Sequence, residues 1–236
     1  MKTAIFNFHH GIGDFVIISG FIRKELCNRY DRIVIPTFEN YCSSLHVMFK
    51  DVPNIEVITD PSLSMGSIQY EDYFLNSELY KKYNDFEVFS VGFGHKSIGL
   101  DYYTWDYGMY KQVDEPFETS WDYFSCWKDY QEENRIIEKF VKDEENLIFV
   151  HDDTSRGFSI DAAKFKVGNF VEPVLGYCFT SWIGLIQKCT EIHCIPSSFS
   201  VLIDRIDLPL NPKLYLHVYA RQDCVLPFYR KNWKYL

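Results

Sequence analysis

Three stretches of the chain combine glycines, hydroxyls and charged side chains at spacings that serve anion binding and proton transfer. The first is His9-His10-Gly11-Ile12-Gly13-Asp14. Gly11 and Gly13 let a backbone turn tightly and approach a ligand, and a helix starting here offers free N–H groups to an anion. Asp14, in the first helical turn, has two readings: a carboxylate that caps the helix, or a general base facing a cleft. His10 leads directly into the glycines and is the better placed of the two histidines for that cleft; the alternative is a packed or surface residue. A dinucleotide fingerprint is not completed, because Val16 stands where G-x-G-x-x-G needs Gly or Ala.

The second stretch is His151-Asp152-Asp153-Thr154-Ser155-Arg156-Gly157. Arg156 can pair bidentately with a phosphate, and Thr154 and Ser155 can donate hydrogen bonds beside it. The other reading is a surface turn in which Asp and Arg pair with each other. His151-Asp152-Asp153 has no companion ligands at a known spacing, so no metal is expected. In the third stretch, Ile192-His193-Cys194-Ile195-Pro196-Ser197-Ser198-Phe199, a strand ends and a helix begins. That geometry aims the hydroxyls of Ser197 and Ser198 and unpaired backbone N–H groups at an anion, while leaving Ser197 free to cap the helix as well.

These stretches need elements that bring strand ends together. Residues 2–8 read as a strand, Asp14 to Tyr30 as a helix with Phe15, Ile18, Phe21, Ile22 and Leu26 on one stripe, and Arg32 to Pro36 as a buried strand. A helix over 39–50 and strands over 55–59 and 87–91 continue the rhythm, which is that of a parallel, doubly wound sheet. Gln131 to Lys142 is a polar helix with Ile136, Ile137, Phe140 and Val141 on one side. A second βαβ pattern follows: a strand from Leu147 to Val150, a helix from Thr180 to Cys189 and a strand from Glu191 to Ile195. A helix from Phe199 to Arg205 and a strand from Leu214 to Val218 complete it. The expected fold class is α/β, with two Rossmann-like halves facing a cleft, residues 1–130 and 131–236. In such sheets ligands sit outside the carboxyl ends of the strands, where all three stretches fall.

Composition narrows the partners. The formal charge of the 236-residue chain is −9, a field that repels nucleic-acid phosphates and leaves room only for a local basic pocket. Seven scattered cysteines without CxxC pairs read as reduced thiols of a cytoplasmic protein. The opening MKTAIFNFHHGIGD turns polar too soon for a signal peptide, and no apolar run reaches the roughly 20 residues that span a bilayer. Aromatic residues make up 18% of the chain, and residues 101–130 hold eleven of them among seven acidic residues and two lysines. Packing is the first reading of that belt and a stacking platform for sugars the second.

GIGDFVIISGFIRKEL resembles the opening of the bacterial heptosyltransferase-like family of GT-B glycosyltransferases, similar to glycosyltransferase family 9. FTSWIGLIQKCTEIHCIPSSFSVLIDRI resembles the donor-side segment of GT-B enzymes, and VHDDTSRG is similar to the turn opening the second half of fucosyltransferase-like enzymes. The likeness covers some 60 to 70 residues. It departs from the family where Pro196-Ser197-Ser198 replaces an Asp-Thr-Gly turn, and in a chain shorter than the family's members, which run beyond 300 residues. The resemblance implies a compact GT-B fold and transfer of a sugar from a nucleoside-diphosphate donor to a glycan or other hydroxyl acceptor. The first half would hold the acceptor and the smaller second half the donor. Asp14 would be the catalytic base, with His10 beside it. Ser197, Ser198 and Arg156 would hold the donor diphosphate, and the residue reading above adds Gly11, Gly13, His151 and Ser155 as phosphate-binding candidates. No cofactor is implied beyond the nucleotide-sugar substrate, and the absence of any Asp-x-Asp motif fits a metal-independent enzyme. The alternative is a non-catalytic nucleotide- or glycan-binding module of the same fold.

Overall fold

A computed structural model describes residues 1–8, 11–60, 81, 83, 85–92, 101–142, 146–161, 168–174, 176–222 and 224–236. The chain divides into two compact units, Met1–Trp127 and Lys128–Leu236, each built around its own parallel sheet.

The first unit runs β1 (Thr3–Asn7), α1 (Ile12–Phe21), β2 (Arg32–Thr37), α2 (Glu39–Met48), β3 (Ile55–Thr59) and β4 (Phe86–Ser90). The spatial order is β3-β2-β1-β4, with every pairing parallel. All five residues of β1 are buried, as expected of a strand covered on both faces of a parallel sheet.

Helix α1 departs from the expected single stripe: every residue from Phe15 to Phe21 is buried. The run FVIISGF has no polar side, and a helix apolar all round must be covered all round. Its one hydroxyl, on Ser19, donates to the Val16 carbonyl at 2.9 Å. The cover comes from the aromatic segment, folded as α3 (Trp105–Gln112) and α4 (Thr119–Asp122). Both the Tyr110 and the Ser120 hydroxyls donate to the Ile17 carbonyl, at 2.7 and 2.9 Å. Gly20 permits the close approach, since a Cβ there would stand 2.1 Å from the Thr119 carbonyl oxygen. Beyond Phe21 the helix widens into a π-helical turn, Ile22–Leu26, before a last turn at Cys27–Arg29. Tyr110 and Phe117 are thus core, their rings edge-on at 5.6 Å, whereas Tyr102, Tyr103, Tyr107 and Tyr123 are exposed.

The second unit opens with α5 (Tyr130–Phe140), whose first N–H groups, on Gln131 and Glu132, donate to the Asp129 carboxylate. Then come β5 (Leu147–His151), β6 (Asn169–Val171), α6 (Ile183–Ile186), β7 (Glu191–Cys194), α7 (Ser198–Arg205), β8 (Lys213–Leu216) and β9 (Trp233–Tyr235). The order is β6-β5-β7-β8-β9, again all parallel. The helix expected over 180–189 is instead a 3₁₀ turn, Phe179–Trp182, leading into the single turn of α6. The segment before β9 is fastened by buried Asp204, which accepts the Arg230 and Lys231 backbone N–H groups at 2.9 Å each and the Trp233 indole N–H at 3.1 Å. The architecture is α/β, with two Rossmann-like parallel sheets. Among the described residues no helix is long and apolar enough to cross a membrane.

Candidate functional site

Each sheet reverses its winding once, and the crevice at that point lies outside the carboxyl ends of two neighbouring strands. In the first unit the reversal falls between β1 and β4. There the Asn7 side-chain amide donates to the Ser90 hydroxyl at 3.2 Å, closing the ends of the two strands. Helix α1 begins just past β1, so Asp14 stands at this edge. Its Oδ2 accepts the Gly11 backbone N–H at 2.8 Å, which is the capping reading realised in full. The carboxylate is oriented by that bond and remains partly exposed.

The glycines act differently from the tight turn expected. Gly11 is an extended residue ahead of the helix, with φ −71° and ψ 170°, and Gly13 lies in the first helical turn. Neither has a positive φ, so the sequence GIGD starts a helix without forming a looped phosphate cradle. His10 lies outside the described residues, as does His9.

In the second unit the reversal falls between β5 and β7, and the predicted residues of both strand ends meet there. His151 ends β5; Ser197 follows β7 and precedes α7. The His151 Nδ1 and Ser197 Oγ are 3.1 Å apart and share a hydrogen bond. The His151 ring packs against Phe199 with centroids 4.6 Å apart. Burial pushes the His151 imidazole from its usual 6.5 down to about 4, with Asp153 acting to raise it and Arg156 to lower it. His151 is therefore a neutral partner for the serine at physiological pH. Ser198 is the first helical residue, partly buried at the same edge. The Ser197 N–H donates to the Ser200 hydroxyl at 3.0 Å, and that hydroxyl bonds the Tyr229 phenol at 2.8 Å, fixing the first turn from within.

Ser155 and Arg156 are engaged locally. The Ser155 hydroxyl donates to Asp153 Oδ1 at 2.7 Å and the Arg156 guanidinium pairs with Oδ2 at 2.5 Å, the self-paired turn that the sequence allowed. Desolvation acts to raise the Asp153 carboxyl, but those two partners outweigh it and hold the group below its usual range. The Arg156 side chain is 57% exposed, and exposed ion pairs contribute only about 0.2 to 1 kcal/mol, so an anion can compete with Asp153 for it. Among the described residues no three His, Cys, Asp or Glu side chains are grouped to hold a metal ion.

Arg221 and Phe158 were not read from the sequence. Arg221 Nη1 donates to the Pro196 carbonyl at 2.8 Å, which places this guanidinium beside Ser197. The Arg221 and Arg156 guanidinium carbons lie 5.4 and 5.7 Å from the Phe158 ring centre, so two cations approach one ring. The signal was available: Arg221 lies just past the carboxyl end of β8, the rule that singled out Ser197. A cavity of about 330 Å³ lined by Asp207, Asn211, Lys231 and Asn232 lies at the opposite, amino edge of this sheet.

No family model and no curated protein matches the sequence. Similarity is found among solved structures. The glycosyl transferase family 9 protein from Veillonella parvula superposes with a TM-score of 0.58 at 9% identity, covering 100% of this chain and 86% of that one. The E. coli ADP-heptose LPS heptosyltransferase II gives 0.51 at 12% identity, covering 100% and 90%. At such identities the likeness is one of fold: the chain has the fold of heptosyltransferase-like glycosyltransferases.

Proposed function

We propose that the chain is a metal-independent glycosyltransferase that moves a sugar from a nucleoside-diphosphate donor to an acceptor hydroxyl. The observation that carries this reading is the convergence at the β5/β7 switch point of a neutral His151–Ser197 pair, the start of α7 and two guanidiniums. Hydroxyls, helix N–H groups and arginines are the donors that neutralise a departing diphosphate without a metal. The second unit holds the donor: Ser197, Ser198 and His151 shape the site, and Arg156 exchanges Asp153 for the phosphate oxygens.

In the first unit Asp14 takes the acceptor proton, a role worth about 10²- to 10⁴-fold in rate. Its cap bond to Gly11 orients the carboxylate at the carboxyl end of β1. With Asp14 as the base, inversion at the anomeric carbon is the expected outcome. Glycosyltransferase neighbours in structure support transfer chemistry in general. Asp14→Asn tests the base directly in a transfer assay with nucleotide-sugar donors: turnover should fall by at least about 10²-fold, and near-normal turnover overturns the assignment. A second reading, a non-catalytic nucleotide- or glycan-binding module, is favoured by the capped Asp14 and the self-paired Arg156. Stabilisation by nucleoside diphosphates with no transfer to any acceptor would select it.

A further inference from the structure

Four side chains of the second unit form a hydrogen-bonded row that the proposed reaction leaves unused. His193, inside β7, and His217, just past β8, are 1% and 0% exposed. His193 Nδ1 lies 2.8 Å from His217 Nε2, and His193 Nε2 lies 2.8 Å from Oε1 of Glu191. At the far end His217 Nδ1 lies 3.1 Å from the Tyr219 hydroxyl, which accepts the Asp161 backbone N–H at 3.0 Å.

The two ends set the direction of the row. A carboxylate only accepts, so His193 carries its hydrogen on Nε2 and its Nδ1 accepts from His217 Nε2–H. His217 Nδ1 is then an acceptor, and the Tyr219 hydroxyl hydrogen points inward to it. One added proton reverses the row. His193 becomes an imidazolium donating to Glu191 and to His217 Nε2, and His217 donates from Nδ1 to the Tyr219 oxygen. The phenol hydrogen is released to point outward. Only N–H and O–H bonds change, and the new positive charge faces the Glu191 carboxylate.

We propose that Glu191, His193 and His217 are positioning residues for Tyr219, a proton-reversible relay that turns its hydroxyl hydrogen either inward or out to the carboxyl edge, where the diphosphate oxygens of a sugar nucleotide accept it. The identity of that ligand rests on the function proposed above; the relay itself rests on the four side chains. Tyr219 lies in the 3₁₀ turn Val218–Ala220 just past β8 and two residues before Arg221, the cation held at Pro196. Among the described residues, the groups facing the imidazole pair include Glu191 on its own strand and, from β8, Tyr215, whose ring stacks on His193 at 4.6 Å and 10°. Lys234 of β9 stands over that tyrosine at 5.7 Å. Burial holds His193 below its usual range although Glu191 acts to raise it, so the free relay rests in the inward state. Ligand binding that favours the outward state takes up a proton.

Two measurements test this. In ligand-free protein, nitrogen NMR of ¹⁵N-labelled histidine should show both rings as Nε2–H tautomers near neutrality, and one protonation step that shifts both rings together; an Nδ1–H tautomer on His193 or two independent steps overturns the relay. Affinity for a panel of nucleotide sugars, whose diphosphate does not titrate in this range, should rise roughly tenfold per pH unit at most as the pH falls toward 5.5. Glu191→Gln and Tyr219→Phe, which remove a charge and a hydroxyl without changing shape, should each flatten that slope while His151 stays in place. A slope that survives in both variants overturns the link to Tyr219. If no nucleotide sugar binds but the coupled histidine step is present, the proposed function falls and the relay stands.

Discussion

Lowering the pH puts a proton on His151 only at the expense of its burial against Phe199. The group is neutral in the fold down to about pH 4, against 6.5 for an unhindered imidazole. In the unfolded chain it protonates two and a half units earlier, so the unfolded state binds the extra proton throughout that window. A depressed folded-state value means that the contribution is intact above pH 6.5 and is lost as pH falls toward 4. The loss works out at about 2 kcal/mol by pH 5 and about 3 kcal/mol by pH 4. Urea denaturation of the protein and of His151→Asn, at pH 7, 5 and 4, isolates this effect from the other acid-sensitive groups. The asparagine Oδ1 can still accept from Ser197, and the variant has no proton to gain at this position. Its stability should therefore fall less steeply than that of the natural chain, by the amounts given. Parallel curves for the two proteins would refute the account of His151 as a buried neutral partner of Ser197.

Two further perturbations probe the frame that holds the sites. Gly20→Ala forces a Cβ to 2.1 Å from the Thr119 carbonyl oxygen; backbone cannot swing aside, so a loss of roughly 3 kcal/mol or more is expected in thermal or urea unfolding. Asp204→Ala strands three donors that the buried carboxylate now satisfies, and should destabilise by about 3 to 5 kcal/mol, while Asp204→Asn, which keeps one acceptor oxygen, should lose roughly half as much in the same denaturation series.

The parallel sheets were legible because their inner strands carry apolar runs, AIF within β1 and LIFV in β5, spaced by helices. Strands β6 and β9 were not: each has three residues, and Asn169, Phe170, Lys234 and Tyr235 are exposed, so neither length nor pattern marks them. The stripe assigned to α1 was too narrow because the layer over its other side comes from residues far along the chain. At the candidate site, His151 and Ser197 were legible from one rule, that ligands gather at carboxyl strand ends. The pairing of Arg156 with Asp153 was visible as a local alternative three residues apart. The His193–His217 contact depends on the β7/β8 register, which places His193 opposite Tyr215, and no periodicity within either strand encodes it.

The carbonyl of Ile17 receives its two hydroxyl partners from residues 93 and 103 positions further along. During synthesis, α1 can therefore pack Phe21 against Phe6 of β1 long before anything exists to cover its outer side. For the time needed to make those intervening residues, Phe15 to Phe21 present an apolar strip to the surroundings. Sequence-distant closure of this kind slows folding and lengthens the exposure of sticky intermediates. The run Phe15–Phe21, buried throughout in the finished unit, is thus the surface that the nascent unit must leave open longest.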